Sequence, residues 1–334
     1  MHRRNDALWE WSVFWQSDQL QSCMPVSEAG ASDQLYSAWR EFFDALPAGA
    51  RILDLGTGNG SLAIQAVEAS RARSEPFSIH GVDLADIQPS RYVTSAATLL
   101  DEITFHPRTP MEKLPFVDDY FDAVASQYAL EYSNMRESLR EALRVLKPGG
   151  RFCLLTHADD GVLKDRCRLQ SQQARTILES SLFTALVSML ERSVAAEAQN
   201  TPQALSVAEQ SISTFKTILD DLLRGFSDDE DHSLVNNLLA AITRLPEMRK
   251  TQNLDTLLAM VDDIRELLVA QSKRLQAMQK AALDDKAAED IADRLRTLGA
   301  ENVSLETAAA GTKEHCVGYW LSGDKSESGG QVSG

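Results

Sequence analysis

The chain has 334 residues, 43% hydrophobic and 25% charged, enough apolar material for a large core and more than one domain usually holds. A formal charge of -16, with no lysine or arginine stripe to reverse it locally, argues against nucleic acid as a partner. Four cysteines without CxxC spacing exclude a disulfide scaffold. With no signal-like segment and no apolar run of membrane length, the sequence is read as a cytoplasmic protein without membrane association.

Residues 1–48 form an N-terminal helical segment rich in aromatics, in which the spacing of Tyr36, Trp39, Phe42 and Phe43 predicts a helix ending before Pro47. Residues 49–157 alternate short apolar runs with helical patterns, the pattern of a parallel α/β sheet. The expected strands are Arg51 to Leu55, Ser78 to Asp83, Ile103 to His106, Phe121 to Ser126 and Arg151 to Thr156. A helix from Met135 to Leu146 is expected between the last two, opened by a capping box of Asn134 and Glu137 and stopped by Lys147-Pro148-Gly149-Gly150.

Residues 158–281 lose the strand signal and read as a large helical insertion. Ile212, Phe215, Leu219 and Leu222 mark one apolar stripe. Leu254, Leu257, Val261, Ile264, Leu268, Leu275 and Met278 mark a heptad-like seam, broken by Gln271. The acidic run Asp228-Asp229-Glu230-Asp231 suits a solvated, helix-capping loop rather than a metal centre, and no metal site is expected. Residues 282–322 supply a last helix and a strand pair, Asn302 to Thr307 and His315 to Leu321, and 323–334 read as a disordered tail.

Chemistry concentrates in the first half. Asp54-Leu55-Gly56-Thr57-Gly58-Asn59-Gly60 follows a strand and opens a helix, so its glycines permit a sharp turn and close approach of a ligand to the backbone. Ser61 stands where the third glycine of a dinucleotide fingerprint falls. Asp83 ends the second strand about twenty residues on, where a carboxylate accepts both hydroxyls of a ribose.

Three segments together resemble a class I S-adenosylmethionine-dependent methyltransferase of the ubiquinone-biosynthesis-like group: Ile52 to Gly60; Leu114-Pro115-Phe116 leading to Phe121-Asp122-Ala123-Val124; and Leu143-Arg144-Val145-Leu146-Lys147-Pro148-Gly149-Gly150. The resemblance implies a Rossmann-like, seven-stranded, mostly parallel sheet with an antiparallel final strand, which His315 to Leu321 would supply. It also implies S-adenosyl-L-methionine as cofactor and S-adenosyl-L-homocysteine as product. By the same resemblance Asp54, Gly56, Thr57, Gly58, Asn59 and Gly60 hold the methionine part and Asp83 the ribose, with Leu84 and Gln127 completing the contacts. The family commonly carries an aspartate four residues before the Leu-Pro-Phe leucine; this chain has Pro110, leaving Met111 to offer its backbone N–H and thioether to adenine.

Ligands of such folds lie outside the carboxyl ends of the strands, which places Ser126, Gln127, Tyr128 and His157 at the border of the methyl position. His157 is the candidate general base, against the plain reading of a strand-end histidine that only bonds a loop. Tyr128, Glu131 and Tyr132 form a polar-aromatic group on the acceptor side, or ordinary packing of a helix start. Trp11 and Trp15 belong either to a core helix or, by the resemblance, to a lid over cofactor and acceptor. The leading function is methyl transfer to a small-molecule acceptor, oxygen slightly favoured over nitrogen or carbon. Ser126-Gln127-Tyr128-Ala129 stands where amino-group methylases often carry Asn-Pro-Pro-Tyr. The alternatives are a protein methyltransferase whose insertion recruits a protein partner, and a non-catalytic binder of the cofactor. The insertion suits a cap over the site or the arm of a homodimer.

Overall fold

The computed structural model describes residues 9–22, 31–226, 231–310 and 315–327. Two helices, α1 (Trp9–Phe14) and α2 (Ala31–Asp44), precede β1 (Arg51–Leu55) and α3 (Ser61–Ser70). Then follow β2 (Ser78–Val82), the short helices α4 (Pro89–Tyr92) and α5 (Ala97–Leu100), β3 (Ile103–His106) and β4 (Phe121–Gln127). A 3-10 turn (Leu130–Tyr132), α6 (Met135–Val145) and β5 (Leu146–Thr156) close this run. After a helical stretch come α13 (Asp285–Thr297), β6 (Ala300–Ala310) and β7 (His315–Lys325). Between β5 and α13 lie α7 (Val162–Glu179), α8 (Leu182–Gln199), α9 (Pro202–Arg224), α10 (Ser233–Ile242), α11 (Leu245–Met248) and α12 (Leu254–Ala281).

Among the described residues the strands form one seven-stranded sheet in the order β3-β2-β1-β4-β5-β7-β6. β1 pairs parallel with β2 and β4, whereas β7 runs antiparallel between β5 and β6. The expected Rossmann-like class and its antiparallel strand are therefore present. Ile52, Leu53, Asp54 and Leu55 are all buried, because a central parallel strand is covered on both faces. α2 covers one face with Trp39 and Phe43, both fully buried, and stops short of Pro47, whose missing N–H cannot continue a helix.

Three local expectations are corrected. The side chain of Asn134 makes no cap: its backbone N–H goes to Glu112, while Glu137 pairs with Arg140 at 2.6 Å, so neither half of the box is available. Lys147-Pro148-Gly149-Gly150 does not sit between helix and strand but belongs to β5, where the pairing with β4 shifts register and Lys147 Nζ reaches Asp122 at 2.6 Å. Ser322–Lys325, read as polar and partly as tail, extend β7: Ser322 pairs with both Cys153 and Ser304, and Lys325 bonds Asp119 and the Leu146 carbonyl. Gly311 and residues 328–334 lie outside the described residues.

The chain divides into two compact units, Met1–Asp165 with Ala277–Gly334, and Arg166–Gln276. In the second, α8 packs on α9 across Asn200, whose φ of 48 is left-handed, and Thr201 caps α9 by accepting the Ala204 N–H at 3.2 Å. The α12 seam buries Leu257, Val261, Leu268 and Leu275. Asp228, Asp229 and Glu230 lie outside the described residues; Asp231 accepts from Arg166 at 2.5 Å and from the Ser233 N–H at 2.9 Å. In the first unit, Ala158 and Leu283 form an isolated parallel bridge, with Leu283 N bonded to His157 O at 2.9 Å and Asp159 N to Leu283 O at 2.7 Å. No helix among the described residues is long and apolar enough to cross a membrane.

Candidate active site

The cleft opens where β1, β2 and β4 end, enclosing about 920 Å³ with its mouth included, a size that suits a small ligand. The glycine loop forms its floor. Gly56, Gly58 and Gly60 take φ of 70, 53 and 86, the left-handed region that side chains resist. Space is as restrictive as conformation: a Cβ on Gly56 would lie 2.2 Å from that of Ala129, and one on Gly58 2.4 Å from the Trp15 ring. Gly81 in β2 is a third such position, leaving room for Thr57, which would meet a Cβ there at 2.7 Å.

The loop's amides face inward. Gly56 N and Thr57 N both donate to Val82 O, Gly58 N to Asp83 Oδ2 at 2.8 Å, and Gly60 N to Thr57 O. A phosphate-binding loop presents such amides to its anion; this one offers a smooth surface instead. Asp54 accepts from Thr57 Oγ1 at 2.7 Å, and burial pushes its carboxyl up to about 7. Asp83, half-buried, also accepts the Ala85 N–H at 2.8 Å, and burial pushes it up to about 6 against these two backbone bonds.

Asn59 is fully buried and points away from the cleft's ligand space. Its Nδ2 lies 3.1 Å from Trp15 O, 3.3 Å from Ser17 O and 2.8 Å from Gln19 O, so it ties the N-terminal segment to the loop. Trp15 stacks on Trp11 at 6.2 Å, and Trp11 meets the Tyr132 ring edge-on at 5.4 Å. Trp11, Trp15, Tyr128 and Tyr132 thus line the same cleft as Asp54, Asp83, Leu84, Met111 and Gln127. Sequence reading missed Leu20, Gln21, Ser22, Glu112 and Ser133 on its walls, none of which carries a motif.

His157 and Glu131 stand behind that wall, not on it. His157 is fully buried; its Nδ1 lies 2.5 Å from Glu131 Oε1, which also accepts the His157 backbone N–H at 2.9 Å. The Tyr128 ring stacks on the imidazole at 4.3 Å. Tyr128 itself has φ 54, unfavourable for a bulky residue, and its hydroxyl donates to Val317 O at 3.2 Å. A general base must come within hydrogen-bond reach of the proton it removes, and this position supports Tyr128 instead.

A sheet of this order with a glycine loop after β1 and an acid just after β2 is the arrangement of the class I S-adenosylmethionine-dependent methyltransferases. Residues 46–223, more than half of the chain, match the family model described as a methyltransferase domain. The chain belongs to that family, whose cofactor is S-adenosylmethionine. It is 35% identical over 131 residues to the ubiquinone/menaquinone biosynthesis C-methyltransferase UbiE of Chromobacterium violaceum, covering 37% of this chain and 51% of that protein. It is 35% identical over 133 residues to the enzyme of the same name from Azotobacter vinelandii, covering 37% and 50%. This chain spans about half the length of the curated relatives it matches. Among solved structures, an S-adenosylmethionine dependent methyltransferase from Mesorhizobium loti is 27% identical over 39% of this chain and 56% of that one, with a TM-score of 0.29.

The walls fit a ligand that carries a sulfonium and an ammonium. Asp54, Asp83 and Glu112 supply carboxylates and the tryptophans π faces, while no lysine, arginine or histidine is among the described lining residues.

Proposed function

We propose that the chain transfers a methyl group from S-adenosylmethionine to a small-molecule acceptor held among Trp11, Trp15, Tyr128 and Tyr132. One observation carries this reading: acids, glycine loop and aromatic faces line a single cleft, with no lysine, arginine or histidine among its described lining residues. The bound cofactor supplies a methyl group on positively charged sulfur, so that the carbon–sulfur bond breaks as the acceptor–carbon bond forms. The chain's own part is alignment and exclusion of water. In this reading Asp83 takes the ribose, Asp54 and the loop the methionine part, and Leu84 and Met111 the adenine. Trp11 and Trp15 serve as a lid, fastened by Asn59. Glu131 and His157 act as positioning residues that set the Tyr128 ring. The acidic cleft, without a cation among its described lining residues, favours a neutral acceptor over a phosphorylated one. The favoured acceptor atom is a hydroxyl oxygen, whose proton is released to solvent at the cleft mouth as the oxygen–carbon bond forms; carbon, as in the names of the curated relatives, is the competing reading.

Incubation of the chain with methyl-labelled cofactor and a cell extract tests this by mass spectrometry. Label in small molecules is expected, and the carbon shift of the labelled methyl separates an O-methyl from a C-methyl product. Label confined to polypeptides, or no label despite tight cofactor binding, refutes the small-molecule reading. We assign the helical unit the pairing of two chains, supported by exposed Leu205, Val207 and Leu267; sedimentation as a dimer that Leu267→Lys dissociates is the expected outcome.

A further inference from the structure

Trp39 is fully buried in α2, and its indole Nε1 lies 2.5 Å from Oε1 of Gln127, a residue 88 positions away at the end of β4. An indole N–H only donates. It therefore decides which end of the Gln127 amide is which: the oxygen must face Trp39, and the –NH2 is turned to the other side. Gln127 lines the cleft, and no described protein group accepts from its –NH2. A buried tryptophan thus makes Gln127 a donor to whatever the cleft holds.

The cofactor proposed above carries one anionic group, its carboxylate, and the described walls hold no cation to meet it. The loop amides of Gly56, Thr57, Gly58 and Gly60 are engaged inside the protein. Four of the other neutral side-chain donors on the walls are engaged, Thr57 on Asp54, Tyr128 on Val317, Ser133 on Leu130 and Gln21 on Ser61, while the Ser61 hydroxyl and the Trp15 indole also line the cleft. We infer that Gln127 is the side chain that recognises the cofactor's carboxylate, with Trp39 as the positioning residue that fixes its polarity. The inference rests on the cofactor reading given under the proposed function.

Calorimetry with two ligands tests it: S-adenosylhomocysteine, which has the carboxylate, and 5′-methylthioadenosine, which lacks the whole amino-acid end. Gln127→Glu keeps an acceptor for the indole but sets a carboxylate against a carboxylate. It is expected to weaken S-adenosylhomocysteine at least tenfold and to leave methylthioadenosine within twofold of the unsubstituted chain. Trp39→Phe frees the amide to rotate and is expected to weaken S-adenosylhomocysteine severalfold, with methylthioadenosine again unchanged. In the Gln127→Glu background Trp39→Phe is expected to add little to the loss, since the donor end is already gone. Thermal unfolding of each variant reports whether it folds, and Gln127→Met, which loses the donor without adding charge, supplies an independent comparison with the same expected selectivity. Unchanged S-adenosylhomocysteine affinity in Gln127→Glu and Gln127→Met, or equal loss of both ligands, overturns the inference. An unsubstituted chain that binds neither ligand overturns the cofactor reading itself.

Discussion

Asn59→Ala tests whether the aromatic segment is a lid fastened at the glycine loop. The wild-type amide nitrogen carries two hydrogens and faces three carbonyls, those of Trp15, Ser17 and Gln19, at 3.1, 3.3 and 2.8 Å. Two bonds at about 1 kcal/mol each, plus part of the penalty for a buried carbonyl left without a donor, give about 2–3 kcal/mol. Alanine keeps the Cβ and removes the clamp. The carbonyls recover water if the segment lifts, so the loss is expected in closure of the segment rather than in unfolding of the sheet. Converted at about 1.4 kcal/mol per factor of ten, S-adenosylhomocysteine should leave roughly 30- to 150-fold faster. Stopped-flow displacement measures that rate, and hydrogen exchange followed by mass spectrometry should show deprotection confined to residues 11–20. Release within threefold of the unsubstituted chain, with unchanged exchange in that segment, refutes the reasoning.

Further outcomes follow from groups already described. Asp54 and Asp83 are pushed up to about 7 and about 6, above the unfolded value, so their contribution to the stability of the ligand-free chain is present at low pH and is lost as pH rises through those values. Binding of the cofactor's ammonium prefers an ionised Asp54, so S-adenosylhomocysteine affinity should climb as pH rises through about 7, and Asp54→Asn should flatten the climb in calorimetry. His80 and His106, 3.0 Å apart through Nδ1 and Nε2, are both lowered, His80 by burial and then by the charges of His106 and Arg51, His106 by burial. Their contribution is present above the unfolded histidine value of about 6.5 and declines as pH falls from there towards the folded values; His106→Gln should reduce that decline in urea titrations. Gly56→Ala meets Ala129 at 2.2 Å in a left-handed backbone, and a loss of about 2 kcal/mol or more is expected from thermal unfolding. Glu131→Gln replaces the carboxylate that accepts twice from His157 and should cost about 2–3 kcal/mol of stability by denaturant titration.

The central strands were legible because burial on both faces makes them mostly apolar, as in Ile52 to Leu55 and Phe121 to Ser126, each interrupted by one aspartate, Asp54 and Asp122. The glycine loop was legible for a different reason: left-handed backbone at Gly56, Gly58 and Gly60 leaves a mark in residue type. What the sequence concealed are contacts across long separations. Nothing near Gln127 announces Trp39, and nothing near Asn59 announces the carbonyls 40 to 44 positions away, because a backbone acceptor has no letter of its own. His157 drew attention as a strand-end histidine, yet whether it reaches the cleft depends on Tyr128 lying over it, which one-dimensional spacing does not encode. The last turn of β7 was hidden by composition: Ser322-Gly323-Asp324-Lys325 is polar, and only the ladder to β5 and β6 with the Lys325–Asp119 pair makes it a strand.

The bridge between Ala158 and Leu283 gives the helical insertion an architectural freedom. The chain leaves the sheet and returns to it through this hydrogen-bonded bridge, and Val162 and Leu163 at the start of α7 still belong to the core of the first unit, so the second unit begins only at Arg166. Lengthening a segment whose ends are already held adds to the closure entropy only logarithmically, about 0.6 kcal/mol per doubling. Residues 166–276 are a compact unit of their own, and their length can vary at this small entropic cost. Replacing residues 166–276 by a flexible linker, with Val162, Leu163 and Met278 kept, should leave the seven strands and the glycine loop folded.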